Sequence, residues 1–259
     1  MIICYQSLKG GVGKSACTKL TANCMAARGH RVLVVDLDPN NSTTVYYMMG
    51  TDDSRDLIEE KNVFEAINHG TYEGFTIPSR FKNIDILASH LKLFNLRGIG
   101  YNELKKALKD VTKDYDYVII DTAPTYGNIE INALKAADVI FTPVEFDNNN
   151  FNTSKFFESK LYDDIPEKID SWYILYVRWK KSMANFDNSI QMQFVRLFEG
   201  NFSNIADIHI PDTPTIKNYE LLDEKVSLYS KSVGIKALAI EFNKLVTMIT
   251  GQDNPAEIF

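Results

Sequence analysis

Leu8-Lys9-Gly10-Gly11-Val12-Gly13-Lys14-Ser15 is the stretch on which the reading of the whole chain turns. An apolar run, Ile2 to Tyr5, precedes it, and a helical pattern begins near Lys14. A strand, a glycine-rich turn and a helix N-terminus make an anion site, because backbone N–H groups converge there and the helix dipole favours negative charge. Gly10, Gly11 and Gly13 carry no Cβ, so the loop can take left-handed angles and wrap closely round a phosphate. In such a loop Lys14 reaches the β- and γ-phosphates of a nucleotide, and the Ser15 hydroxyl ligates Mg²⁺. The strict phosphate-loop pattern wants glycine where Leu8 stands; here a second lysine, Lys9, comes just ahead of the glycines instead. A glycine-rich turn with two solvated lysines is the bland alternative. The strand before, the helix after and the acidic strand ends further on argue against it.

Arg31 to Val35 reads as a continuous apolar strand of the kind buried in a parallel sheet, and it runs into Asp36-Leu37-Asp38-Pro39-Asn40-Asn41. Tyr115 to Ile120 has the same pattern and closes on Asp121-Thr122-Ala123-Pro124. Carboxylates at the C-terminal ends of parallel strands sit where α/β sheets bind ligands, and an acid there can hold Mg²⁺ directly or through water. Further strands are expected over Ile84–Ala88, Asp138–Val144, Trp172–Val177 and Ile208–Ile210. Helices are expected over Lys14–Arg28 with Gly29 as its stop, Val63–Asn68, Tyr101–Val111, Asn128–Ala136, Phe151–Leu161, Ser189–Phe198 and Lys231–Thr250. The segment from Thr51 to Tyr72 reads as acidic surface. Strands alternating with helices predict an α/β fold, a mostly parallel, doubly wound central sheet covered by helices on both faces. Without repeats, low-complexity tracts or linkers, residues 1–259 are expected to form one domain.

The composition narrows the classes. A net charge of −6 argues against a generally basic nucleic-acid coat. The imbalance is uneven: from Tyr176 onward nine Lys and Arg face ten Asp and Glu, against nineteen and twenty-four before it. A local basic patch in the later part stays open. No apolar run approaches the ~18–20 residues of a membrane span, and no basic-then-apolar export signal opens the chain, which predicts a cytoplasmic protein. Cys4, Cys17 and Cys24 fit neither a C-x-x-C nor a zinc spacing and read as small core residues.

Lys9 to Ser15, Asp36 to Pro39 and Ile119 to Pro124 together resemble the deviant Walker A ATPases of the ParA/MinD group, small ParA-type partitioning ATPases in particular. Weaker echoes continue in Ile84–Ser89, in Asn132–Asp138 with Thr142-Pro143-Val144, and in Ile210–Thr213. The resemblance implies a P-loop NTPase that binds ATP and Mg²⁺, hydrolyses ATP slowly and under partner stimulation, and forms a homodimer when ATP is bound. It places the nucleotide on Lys9, Gly10, Gly11, Val12, Gly13, Lys14, Ser15 and Ala16, with adenine contacts at Arg178, Pro211, Asp212 and Thr213. Lys9, Lys14 and Asp38 are the implied catalytic residues. Lys9 crosses to the phosphates bound by the partner subunit, as an arginine finger does. Asp38 lies near the attacking water, unless it serves only to start the turn before Pro39. Ser15, Asp38 and Asp121 form the implied metal set, with Asp36 as a structural or outer magnesium residue. Asn40 stands where the family often has glutamine, one methylene longer, so the positioning of the water or of the loop is expected to differ.

What the resemblance further implies is a DNA-partitioning role: non-specific double-stranded DNA bound by the ATP dimer, a ParB-like centromere-binding adaptor that stimulates hydrolysis, and association with the nucleoid. Met1 falls at the first strand, so no N-terminal DNA-reading domain is expected. Candidate DNA contacts are Arg178, Lys180, Lys181, Arg196, Lys217, Lys225, Lys231 and Lys236; ordinary solvation is the alternative for each. A MinD-like membrane or protein-cargo positioner is the competing reading. The end of the chain, Gly251 to Phe259, is short, acidic and interrupted by Pro255, so no stable membrane association is expected. A third class, a nucleotide-gated interaction protein without turnover, is opposed by the presence together of Lys14, Ser15, Asp38 and Asp121.

Overall fold

Apolar residues alternate along the first strands so that each strand feeds two cores at once. In β1 (Ile2–Tyr5), Ile3 and Tyr5 enter one core and Cys4 the other; in β2 (Val32–Asp36), Val32 and Val34 enter the first, Leu33 and Val35 the second. A period of two with both sets buried requires cover on both faces of a sheet. The computed structural model, which describes residues 1–50, 54–216 and 226–258, shows that arrangement. Among the described residues eight strands run in the order β3-β4-β2-β5-β1-β6-β7-β8, completed by β3 (Ile77–Pro78), β4 (Ile84–Leu87), β5 (Tyr117–Asp121), β6 (Val139–Val144), β7 (Trp172–Trp179) and β8 (Ile205–Pro211). Every neighbouring pair is parallel except β3 with β4. The short β3 is an edge strand, and its Pro78 has no N–H to offer beyond it.

One face is covered by α1 (Lys14–Ala27), α2 (Ser42–Met48) and α10 (Val233–Thr250), through Leu20, Cys24, Tyr46, Tyr47, Phe242 and Val246. The other is covered by α4 (Val63–His69), α5 (Glu103–Ala107), α6 (Asn128–Ala136), α7 (Asn148–Asp164) and α9 (Ile190–Glu199), through Val63, Leu104, Leu134, Phe157 and Phe198. Two further short helices, α3 (Ser54–Glu60) and α8 (Lys181–Ala184), lie among the described residues. Gly29 at φ +93 ends the first helical segment in the left-handed turn expected of it. Arg28 then ties α1 to α10, donating to the Asn243 carbonyl at 2.7 Å and the Thr247 hydroxyl at 3.1 Å.

Two expectations need correction. The helix expected over Tyr101–Val111 forms only as Glu103–Ala107; Asp110 takes a left-handed φ of 65° and a 3₁₀ turn follows at Val111–Lys113. Leu104, Ala107, Leu108 and Val111 are buried as the spacing suggested, so the apolar face was legible but its continuity was not. The stretch to Tyr72 is more than acidic surface. Val63, Ala66, Ile67 and Tyr72 are buried, and the Asn62 side chain caps α4 by accepting from the Glu65 N–H at 3.0 Å. Residues 51–53 lie outside the described residues.

Candidate nucleotide site

Three strand ends meet at the middle of the sheet, where β1 lies between β5 and β6. The loop after β1 turns on Gly11 (φ +75) and Gly13 (φ +93), conformations that cost a residue with a Cβ about 1–2 kcal/mol each. Gly13 is the cap residue of α1, so the helix begins at Lys14 with its first N–H groups facing the loop. The Lys14 side chain is buried and folds back, its Nζ donating to the Ser7 carbonyl at 3.2 Å. Burial pulls its pKa down, while the Asp121 and Asp38 carboxylates oppose that shift.

The acids of β2 and β5 divide into distinct duties. Asp36 and Asp121 are register partners on adjacent strands, and both are fully buried. Asp36 is consumed by its own loop: Oδ1 accepts from the Asp38 N–H at 3.1 Å, and Oδ2 from the Thr44 N–H and hydroxyl, each at 2.8 Å. Burial, then the neighbouring Asp121 charge, push its carboxyl up to about 7. These bonds let Asp36 hold the Asp38 loop from beneath. Asp121 accepts from the Thr43 hydroxyl at 2.7 Å through Oδ2, and its buried Oδ1 has no hydrogen-bond partner. The Asp121 pKa is raised by burial, against the opposing influence of the Thr43 and Ser15 hydroxyls and of Lys19 and Lys14. Asp38 does start a turn, with Oδ1 accepting from the Asn40 N–H at 2.9 Å, yet it also lines the cleft with Lys14 and Ser15. Turn and cleft roles coexist.

The cleft measures about 770 Å³. Its phosphate end is built from Gly10 to Cys17, Asp38, Asn40 and Pro124. Residues from later in the chain, Val177, Arg178, Pro211, Asp212, Thr213, Ile216 and Phe242, line it as well, with the Arg178 guanidinium beside the glycine loop at the Gly11 carbonyl. All four late residues expected near the base therefore line the same space as the glycine loop. Val177, Ile216 and Phe242 form an apolar wall that sequence reading missed; Phe242 carried only a core-helix signal. Lys9 is the exception among the loop residues. It does not line the cleft: its Nζ turns to Asp147 Oδ2 at 2.7 Å, on the cap residue of α7. Burial opposes charge on Asp147, but the Lys9 ammonium and the Asn150 amides outweigh it and hold the carboxyl below its ordinary value.

The proposed DNA contacts separate into groups. Arg178 belongs to the cleft; Lys180 pairs with Asp212 at 3.5 Å; Arg196 donates to the Asp187 carbonyl at 2.6 Å. Lys181, Lys231 and Lys236 are exposed. Lys217 and Lys225 lie outside the described residues.

Magnesium fits this donor set. The buried, unpartnered Asp121 Oδ1 beside Ser15 is what a metal-bound water can satisfy. No group of three or more His, Cys, Asp or Glu that could hold a metal ion occurs among the described residues. The remaining ligands would be phosphate and water oxygens, the usual habit of this ion.

A family model described as an AAA domain matches residues 1–157. The chain belongs to the ParA/MinD family. Within that family, the sporulation initiation inhibitor protein Soj of Bacillus subtilis (strain 168) is 33% identical over 150 residues, covering 56% of this chain and 58% of Soj. The aligned part thus spans little more than half of that relative's length. The AMPPNP-bound crystal structure of a plasmid partition protein from Borrelia burgdorferi superposes with a TM-score of 0.73 at 21% identity, over 96% of this chain and 98% of that one. Cobyrinic acid a,c-diamide synthase from Mycobacterium smegmatis, with ADP and magnesium, reaches 0.72 at 19% identity over 98% of each chain. This ParA/MinD-family fold is therefore shared by proteins of different chemistry, and function has to be argued from the site.

Proposed function

We propose that the chain is an ATP-driven dimerisation switch that positions DNA. One observation carries the reading. Lys14 fills the phosphate end of the cleft, whereas Lys9 leaves the cleft and is held at the rim by Asp147. On this reading the Lys9 cation serves a nucleotide in a facing subunit, where it would neutralise charge developing as the γ-phosphate leaves. Loop N–H groups and Lys14 would bind the ground-state phosphates. Asp38 would orient the attacking water. Magnesium, held through Ser15 and the Asp121 side, would neutralise the β- and γ-oxygens.

On this reading hydrolysis removes the phosphate that joins the subunits, and the dimer parts. The Soj and plasmid-partition likenesses support a cargo of DNA, with non-specific double-stranded DNA and a ParB-like adaptor as partners of a cytoplasmic, nucleoid-associated protein organised as one domain. The net charge of −6 favours a second reading, a protein cargo. A membrane cargo has less support: Leu238, Phe242, Leu245, Val246 and Ile249 of α10 are buried in the core, which leaves Val233, Ile240 and Met248 exposed. The deciding experiment is ATPase activity with and without non-specific DNA. Stimulation by DNA supports partitioning; turnover indifferent to DNA at low salt moves the reading to a protein cargo.

A further inference from the structure

The end of β7 carries an irregularity that the phosphate loop explains. Strict alternation would send Tyr176 and Arg178 to one face and Val177 and Trp179 to the other. Instead Tyr176 and Trp179 pack together on the same face, with ring centroids 6.2 Å apart, and the pairing of β7 with β8 slips between those two residues. Arg178 is the extra residue, held at a left-handed φ of 54° that arginine rarely adopts. Bulges of this kind re-aim a side chain, and backbone strain of this kind gathers at functional sites. Here the side chain is aimed at the loop after β1. The guanidinium donates to the Gly11 carbonyl at 3.1 Å and pairs with Glu145 by two prongs, Nε to Oε1 at 3.3 Å and Nη1 to Oε2 at 3.4 Å. Glu145 is only 17% exposed and Arg178 is 57% exposed, so the arginine is the partner able to move.

We propose that Arg178 is a phosphate-sensing ligand of the bound nucleotide, resting on Glu145 until a polyphosphate arrives. The proposal rests on the nucleotide reading above and assigns Arg178 to the phosphates, away from the base. A guanidinium fork matches phosphate oxygens as well as it matches a carboxylate. A triphosphate in the cleft carries more negative charge than the one carboxylate it displaces, and the bond to Gly11 already holds the fork at the rim of the phosphate loop. Nucleotide binding would thus exchange one anionic partner for another, and Glu145 would act as a built-in competitor.

The test is a fluorescence titration of ATP, ADP and AMP, with magnesium, against the full chain and its Arg178→Gln and Glu145→Gln variants. Thermal unfolding without nucleotide accompanies it as a check on folding. Arg178→Gln is expected to weaken ATP about tenfold or more, ADP less and AMP least, with the nucleotide-free transition in place. Glu145→Gln is expected to tighten ATP several-fold, because the competing carboxylate is gone. A merely structural arginine would not produce that opposite pair. Equal losses for ATP and AMP would mean a base contact and overturn the assignment, as would a Glu145→Gln variant that binds ATP more weakly. If the parent binds ATP in a Lys14-dependent way and Arg178→Gln binds it equally well, this proposal alone fails. Should the parent bind no nucleotide, the nucleotide reading falls and takes the proposal with it.

Discussion

Lys14 and Asp38 line the cleft and Lys9 leaves it for Asp147, so the three should separate cleanly by experiment. Lys14→Ala removes a ground-state phosphate contact and should weaken ATP binding itself. Asp38→Ala should keep ATP and lose turnover by roughly two to three decades, the usual ~2–4 kcal/mol cost of a transition-state contact; equilibrium binding and single-turnover hydrolysis measure the two effects. Hydrolysis at the parent rate would reduce Asp38 to the turn that it also makes with Asn40. The buried acids predict an unusual pH dependence. Burial and the adjacent Asp121 raise the Asp36 carboxyl from 3.8 to about 7, so the native chain keeps a proton that the unfolded chain releases. Nucleotide-free stability should therefore fall as pH climbs from about 4 to about 7, and level off above that. Asp121→Asn removes the repulsion but leaves the larger effect of burial, so it should make the slope shallower without abolishing it, which urea titrations at several pH values would show. A slope unchanged in Asp121→Asn would mean that the two acids do not share their charge.

At the scale of elements, α10 has a double task, since Phe242 is fully buried in the core and also walls the cleft. Phe242→Ala should cost about 3–5 kcal/mol of stability, a large share of a typical domain's total, and should loosen nucleotide binding as well. Denaturant titration with and without ATP separates the effects. Several elements were legible because pattern and burial agree: β2 and β5 close where their apolar runs meet aspartate, β1 spans the apolar run Ile2–Tyr5, and the helix Asn128–Ala136 has the bounds its spacing suggested. Others were hidden for physical reasons. The helix Ser42–Met48 contains Thr43, Thr44 and Val45, poor helix formers, and exists because Tyr46 and Tyr47 bury against the core. Glu145 and Asp147 carry no sequence signal at all, because their cationic partners lie 33 and 138 residues away. The β7 bulge was equally invisible, and its strand reads as ordinary alternation until Trp179 is seen beside Tyr176.

For the whole molecule the central expectation is a nucleotide-dependent change of size. Light scattering should find a monomer with ADP and a dimer with ATP, clearest in Asp38→Ala, and Lys9→Ala should abolish the dimer while each monomer still binds ATP. Asp147→Asn keeps an oxygen to cap α7 but releases Lys9, so the ATP dimer should form at several-fold lower protein concentration. A weaker dimer would instead mean that Asp147 accompanies Lys9 into the interface. If the dimer binds DNA, removing one phosphate-binding cation, as in Lys231→Glu or Lys236→Glu, should reduce the slope of log affinity against log salt by about one without altering sequence preference. No DNA affinity at low salt in any nucleotide state would leave the protein-cargo reading standing. The two-residue antiparallel strand at the rim of the sheet bears on what such dimers can build. Ile77 and Pro78 present too short a ladder, and one donor too few, for another chain to add its own strand there. Any polymer growing from this side must be joined through helices and loops, and can come apart without unpicking a sheet.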